Sequence, residues 1–172
     1  MLEEHANVVR FVSLAGEVTG RKKLQKMVYI AKKFDFPFHE KYHFHMYGPY
    51  SEELTMRVEE LCTMGFLTER KEDKGSYKQY CYEVTDKGNT FSDSFCKEAA
   101  GLPQIIDELN TQSARFLELV STLLYFDELA RDEQIIKVRT VKAKLNFTDE
   151  EMTRAFQFIA QLNPFKNNEN GV

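Results

Sequence analysis

The chain has 172 residues, 42% of them hydrophobic and 29% charged, with a formal net charge of −4. That length predicts one generous domain, or one domain with a helical extension, and the balance excludes wholesale disorder and any global attraction to nucleic acid or anionic lipid. Cys62, Cys81 and Cys96 lack CxxC spacing, and the acidic start lacks a signal-peptide layout; no apolar run reaches membrane-spanning length, so a reducing cytoplasmic location and no membrane partner are expected.

Residues 2–15 read as a helix with Val8, Val9 and Val12 facing inward and Gly16 as its stop. Thr19 is a candidate N-cap for a second helix, in which Leu24, Met27, Val28 and Ala31 repeat at the spacing of one buried face. The period then changes. Tyr42, Phe44 and Met46 alternate with His43, His45 and Tyr47, which predicts an extended segment. Gly48, Pro49, Tyr50 and Ser51 read as a tight turn, with Ser51 capping a third helix whose Glu52 and Glu53 suit its positive end. That helix is expected to run to about residue 64, burying Leu54, Val58 and Leu61, with Cys62 on the same side.

Residues 66–70 and 77–85 read as a β-hairpin around a polar turn at 72–76, and Thr85 opens a helix expected to reach residue 98. Gly101, Leu102 and Pro103 mark a boundary between residues 1–100 and a C-terminal helical region, 101–172, which either completes the same core or folds separately. Ile105, Ile106 and Leu109 begin one apolar stripe there, and residues 116–126 carry another, read as core or as a homodimer seam. Thr148 to Glu151 match a capping box, and the polar tail from 163 to 172 is expected to fray.

The order helix, helix, strand, helix, hairpin, helix over residues 2–98 is that of an elaborated winged helix. "LCTMGFLTER" resembles the end of a recognition-type helix running into a first wing strand. "YEVTDKG" is similar to the signature that closes the wing in many bacterial winged-helix regulators. "KKLQKMVYIAKKF" (22–34) followed by "YGPYSEEL" (47–54) resembles the YwgA-type proteins of bacilli, and also the wider Panacea (SocA-like) antitoxin domain over roughly residues 20–70. The chain departs from the Panacea pattern in having no tryptophan and a long helical C-terminal part. The expected fold is therefore mainly α with a small β component: an elaborated winged helix with a β-hairpin wing and a C-terminal helical extension. The Panacea resemblance implies an antitoxin role. The YwgA resemblance implies little beyond a cytosolic protein.

Three chemistries compete. His39, His43 and His45 have a spacing at which His43 and His45 share one strand face, as a metal site would require, but strand histidines are more often solvated or packed. The cysteines occupy no sharp turn or helix N-terminus that would activate a thiol, and no phosphate-loop, dinucleotide or metalloprotease motif occurs, so no cofactor is expected. The third helix carries Glu52, Glu59 and Glu60 against a single Arg57, which is wrong for a phosphate backbone.

The second helix is basic, with Lys22, Lys26, Tyr29 and Lys33 forming one stripe, although such a face is often merely solvated. The preferred reading is a non-enzymatic regulatory adaptor or antitoxin-like module. Its protein partner would meet Lys22, Lys26, Tyr29 and Lys33 together with Pro49, Tyr50, Ser51 and Glu52. The alternative is a DNA-binding regulator using Arg21, Lys22, Lys26, Arg70, Lys71 and Lys74. A metal-dependent enzyme built on the histidines ranks third.

Overall fold

The structure, a computed structural model, describes residues 2–168. In chain order the elements are α1 (Leu2–Ala15), β1 (Val18–Thr19), α2 (Arg21–Lys33), β2 (His43–His45), β3 (Gly48–Tyr50), α3 (Glu52–Thr63), β4 (Leu67–Asp73), β5 (Lys78–Val84) and α4 (Asp86–Phe95). There follow α5 (Leu102–Asn110), α6 (Ala114–Tyr125), α7 (Arg131–Val141) and α8 (Asp149–Leu162), with short 3-10 turns at Ala143–Leu145 and Asn163–Phe165. The fold is mainly helical, with two small antiparallel sheets ordered β1-β5-β4 and β2-β3.

Helix α2 is the central element. Every residue from Leu24 through Ala31 is buried, polar Gln25 and Lys26 included. Its apolar side chains join one cluster with Val8, Val9 and Phe11 of α1, Leu54 and Leu61 of α3, Ile105 and Ile106 of α5, and Leu117 and Val120 of α6. Residues on both sides of Gly101 thus share one buried core. Capping is as the residue types dictate: Ser51 Oγ accepts from Leu54 N at 3.1 Å, Thr85 Oγ1 from Gly88 N at 3.0 Å, and Thr148 with Glu151 closes a capping box.

Five local expectations are corrected. Thr19 does not cap α2; it pairs with Cys81 in the sheet, and Gly20 precedes the helix without a side-chain cap. Residues 48–51 are not the turn. Gly48–Tyr50 is strand β3, paired with β2 in the register His43↔Tyr50 and His45↔Gly48, and the turn lies at Met46 and Tyr47. A two-stranded ladder consists only of edges, where proline is tolerated, so the Gly-Pro pair does not force a reversal. The β4–β5 strands run on to Asp73 and its partner Lys78, displacing their turn outward, and α4 stops at Phe95. The tail does not fray where described: Asn167 donates its backbone N–H to Phe34 O and its side-chain amide to Asp35 O, each at 3.0 Å. The remainder of that expectation lies outside the described residues. Close approach holds this end, since a Cβ at Gly101 would come within 2.2 Å of the Phe165 carbonyl oxygen.

The joint between α2 and α3 is polar. The Gln25 carboxamide donates to Ser51 O and accepts from Ser51 N, both at 2.9 Å, and also donates to Thr55 Oγ1 at 3.0 Å. It behaves as one rung of a sheet offered by a side chain. Replacing Gln25 by leucine leaves the buried Ser51 N–H without its acceptor, while the Ser51 carbonyl keeps Thr55 N at 3.2 Å; an orphaned buried amide costs about 1–3 kcal/mol. Chemical denaturation of Gln25→Leu is expected to show a lowered midpoint; an unchanged midpoint would remove the clamp from this account.

Candidate functional site

The first turns of α2 supply Arg21, Lys22, Leu24 and Gln25 to a cavity of about 250 Å³. The β2–β3 hairpin adds Tyr47 and Tyr50, α3 adds Leu54, Thr55, Val58 and Glu59, and the β4–β5 hairpin adds Glu69 and Tyr82. Leu24, Leu54 and Val58 are buried and make an apolar lining. The polar groups are largely committed to one another. Tyr82 OH donates to Glu69 Oε2 at 2.6 Å and accepts from Arg21 Nε at 3.2 Å, while Arg21 Nη2 reaches Glu69 Oε1 at 3.0 Å. Tyr50 OH lies 2.8 Å from Thr55 Oγ1, and the Lys22 ammonium lies over the Tyr47 ring, 3.5 Å from its centroid.

Alongside the cavity, α3 turns an acidic face outward: Glu52, Glu53, Glu59 and Glu60 are exposed, with Met56 60% exposed among them. A shallower hollow lined by Met56, Glu59, Glu60, Thr63 and Met64 adjoins the cavity, with Glu59 lining both. The helix's one arginine does not offset these charges at the surface. Arg57 reaches inward to the buried Glu40 at 2.6 Å and to Glu4 at 3.0 Å.

Of the residues singled out from sequence, Arg21, Lys22 and Tyr50 meet at this cavity, and Glu52 starts the acidic face beside it. The expected basic stripe on α2 is not a surface. Lys26 is 2% exposed, Tyr29, Pro49 and Ser51 are buried, and Lys33 pairs with Asp127 at 2.9 Å. Helical spacing shows that four residues share a face, but not which way that face points.

Among the DNA candidates, Arg70 contacts Glu72 at 2.9 Å, Glu83 at 3.1 Å and Glu17 at 3.7 Å, and Lys74 contacts Glu72 at 3.2 Å. Hydrogen bonds from Arg70 and then Lys74 hold the Glu72 carboxyl down to about 2. Lys71 is exposed on the same hairpin.

His39, His43 and His45 are exposed, and the His45 ring rests 5.0 Å from that of Tyr50. They form no ligand set. Among the described residues, the group whose ligand atoms lie within 4.8 Å of one another is Glu17, Glu72 and Cys81. There Arg70 already supplies the cation to both carboxylates, and Thr19 Oγ1 lies 3.6 Å from the Cys81 sulfur. Burial pushes the Cys62, Cys81 and Cys96 thiols up, away from the nucleophilic thiolate.

No protein-family model matches the sequence. It is, however, 54% identical over 162 residues to a protein of Bacillus subtilis (strain 168) described as "Uncharacterized protein YwgA", covering 94% of this chain and 98% of that one. The chain belongs to the YwgA family.

In this YwgA-family protein the two segments quoted for the resemblance, 22–34 and 47–54, are joined in space by the Gln25–Ser51 clamp, and the cavity opens at their junction. Sequence reasoning passed over Gln25 and Glu118; a glutamine and a lysine inside the apolar run 24–31 were the available signal. Behind the β2–β3 hairpin, Lys142 Nζ bonds Glu118 Oε1 at 2.9 Å and Met46 O at 2.6 Å, while Lys26 Nζ finds no hydrogen-bond partner among the described residues.

Burial lowers the Lys26 ammonium to about 8, opposed by Glu118 and helped by Lys142 and Lys22. The folded protein therefore holds fewer protons than the unfolded chain between about 8 and the ordinary lysine value of 10.5, and stability climbs with pH across that window. Lys23, also lowered by burial, adds in the same direction, whereas the raised Cys62, Cys81 and Cys96 thiols act with opposite sign above their ordinary value of 9.0, as do Tyr29, Tyr42 and Tyr82 above 10.0. Melting temperatures between pH 7.5 and 9, below the range where the thiols oppose it, are expected to rise for the native protein and to flatten in Lys26→Met; the Lys26 effect, complete only above 10.5, is about 3 kcal/mol. An equal rise in both proteins would contradict the assignment.

Proposed function

We propose that this protein is a non-enzymatic regulatory adaptor, antitoxin-like in type, that binds a protein partner at the cavity between α2 and α3 and on the acidic face beside it. The observation that carries this reading is an apolar-lined cavity of about 250 Å³ beside an exposed acidic helix face of Glu52, Glu53, Met56, Glu59 and Glu60, with Glu59 on the cavity's rim. An apolar or aromatic anchor in such a pocket provides affinity, and a charged rim selects the partner and steers its approach. The matching partner presents a basic surface around one large apolar side chain. In this reading residues 1–100 are an elaborated winged helix with β4–β5 as the wing, and residues 101–172 are its helical extension. The support is the order of elements, with α3 leading into the β4–β5 hairpin and the Thr85-capped helix after it.

The DNA-binding alternative is less well supported. Lys26 is buried, Arg21, Arg70 and Lys74 face carboxylates, and only Lys22 and Lys71 of that set remain without one among the described residues. A phosphate backbone would also have to approach the glutamates of α3.

The test compares the native protein with the double variant Glu53→Lys, Glu59→Lys in quantitative pull-downs from the native host, with duplex DNA binding followed by anisotropy. The expected result is a reproducible protein partner whose affinity drops by about tenfold or more in the variant. No DNA binding is expected near about 50 mM salt, where phosphate contacts are strongest. Salt-sensitive micromolar DNA binding, together with no charge-sensitive protein partner, would overturn the reading in favour of the regulator.

A further inference from the structure

We infer that the tip of the β2–β3 hairpin, residues 45–49, is a hinged flap over the α2–α3 cavity, kept ready to open by the uncompensated charge of Lys26 beneath it. The inference rests on the reading of that cavity as the partner site, because it describes how access to the site is controlled.

The base of the hairpin is fixed. Tyr42 OH donates to Gln25 O at 3.2 Å, Phe44 packs 5.2 Å from Tyr125 and 5.5 Å from Phe126, and Ser51 is held by Gln25. The tip is held differently. Met46 is 81% exposed; besides the β2–β3 pairing, the His45–Tyr50 ring contact and the burial of Gly48 and Pro49, the tip is held by the hydrogen bond from Lys142 to the Met46 carbonyl and the packing of Tyr47 on Lys22.

Gly48 covers a polar cluster with its backbone, at a φ of +87°. A Cβ there would lie 3.5 Å from Thr122 Oγ1, 3.7 Å from Glu118 Cγ and 3.8 Å from Lys26 Cε. The charged groups around Lys26 are Glu118 from α6, Lys142 at the end of α7 and Lys22 on α2 itself, the last lying over the Tyr47 ring. Beneath the cover lie two ammoniums and one carboxylate, and the carboxylate is bonded to Lys142. The Lys26 ammonium is left fully buried with no hydrogen bond among the described residues.

A buried ammonium without a partner is costly, and water is the partner that lifting Gly48 would admit. The same movement takes Tyr47 out of the cavity wall, so hydration of Lys26 and access to the cavity are one event. The lowered proton affinity of Lys26 reports the same cost.

Amide hydrogen exchange on the full chain at neutral pH tests this without any partner, so its failure is distinguishable from failure of the partner reading. Removing the charge in Lys26→Met is expected to slow exchange in residues 45–48 by about tenfold or more, local opening being what exchange reads. Removing the counter-charge in Glu118→Gln is expected to speed it. Exchange in α2 and α6 should change little in either variant. A variant that merely loosens the fold speeds exchange, so slowing in Lys26→Met is the discriminating result. Exchange at 45–48 that is unchanged or faster in Lys26→Met would overturn the flap; Lys26→Gln replaces it should the methionine variant not fold.

Discussion

A buried glutamine that pairs with the backbone of Ser51 sets the geometry on which the rest of the molecule depends. Helix α2 runs through the middle of the fold, and burying a whole run of it carries Gln25 and Lys26 inside with the leucines and isoleucines. A buried polar group must find a partner or bear its desolvation cost. Gln25 finds three hydrogen bonds at the start of α3, and this fixes where that helix begins and which way its glutamates face. Lys26, one residue on, finds none. The cavity opens beside the satisfied residue, and the hairpin tip covers the unsatisfied one.

Charge is arranged by the same logic. Cations that looked like a binding surface are turned inward or paired: Lys26 in the core, Arg21 on Glu69, and Arg70 among Glu17, Glu72 and Glu83; Arg57 of α3 is likewise committed to Glu40 and Glu4. The carboxylates of α3 remain outside, with Met56 between them. A protein of modest net negative charge thereby presents one locally acidic, partly apolar face next to an apolar-lined hollow. In the proposed reading, that combination suits a basic protein surface better than a phosphate backbone.

Much of the fold was legible from residues alone. The apolar period of α1 and α2 and the Ser51, Thr85 and Thr148 caps rest on local physics and fall where that physics places them, and the β4–β5 hairpin forms with its strands longer than expected. What was not legible depended on tertiary context. Gly48 and Pro49 signal a turn locally but form an edge strand, because β2 lies opposite. Asn167 looks like a fraying tail residue until Phe34 and Asp35 are brought to it. The site divides in the same way. Lys22 and Tyr50 were reachable because the two motifs pointed to their segments, whereas Lys26 and Tyr29 were read as exposed because periodicity carries no sign for inside and outside. Glu118 and Lys142 lie far along the chain and meet Lys26 only once α6 and the end of α7 pack beside α2.

The central claim is that the α3 face and the cavity beside it form the docking surface. A photo-crosslinking residue placed at Met56 in cells that naturally express the protein tests this most directly, with the same residue at Tyr77, exposed near the β4–β5 turn, as its control. The account predicts one reproducible protein adduct from position 56 and none of that mass from position 77. Adducts from position 77 alone, or crosslinks to DNA from that hairpin, would contradict it.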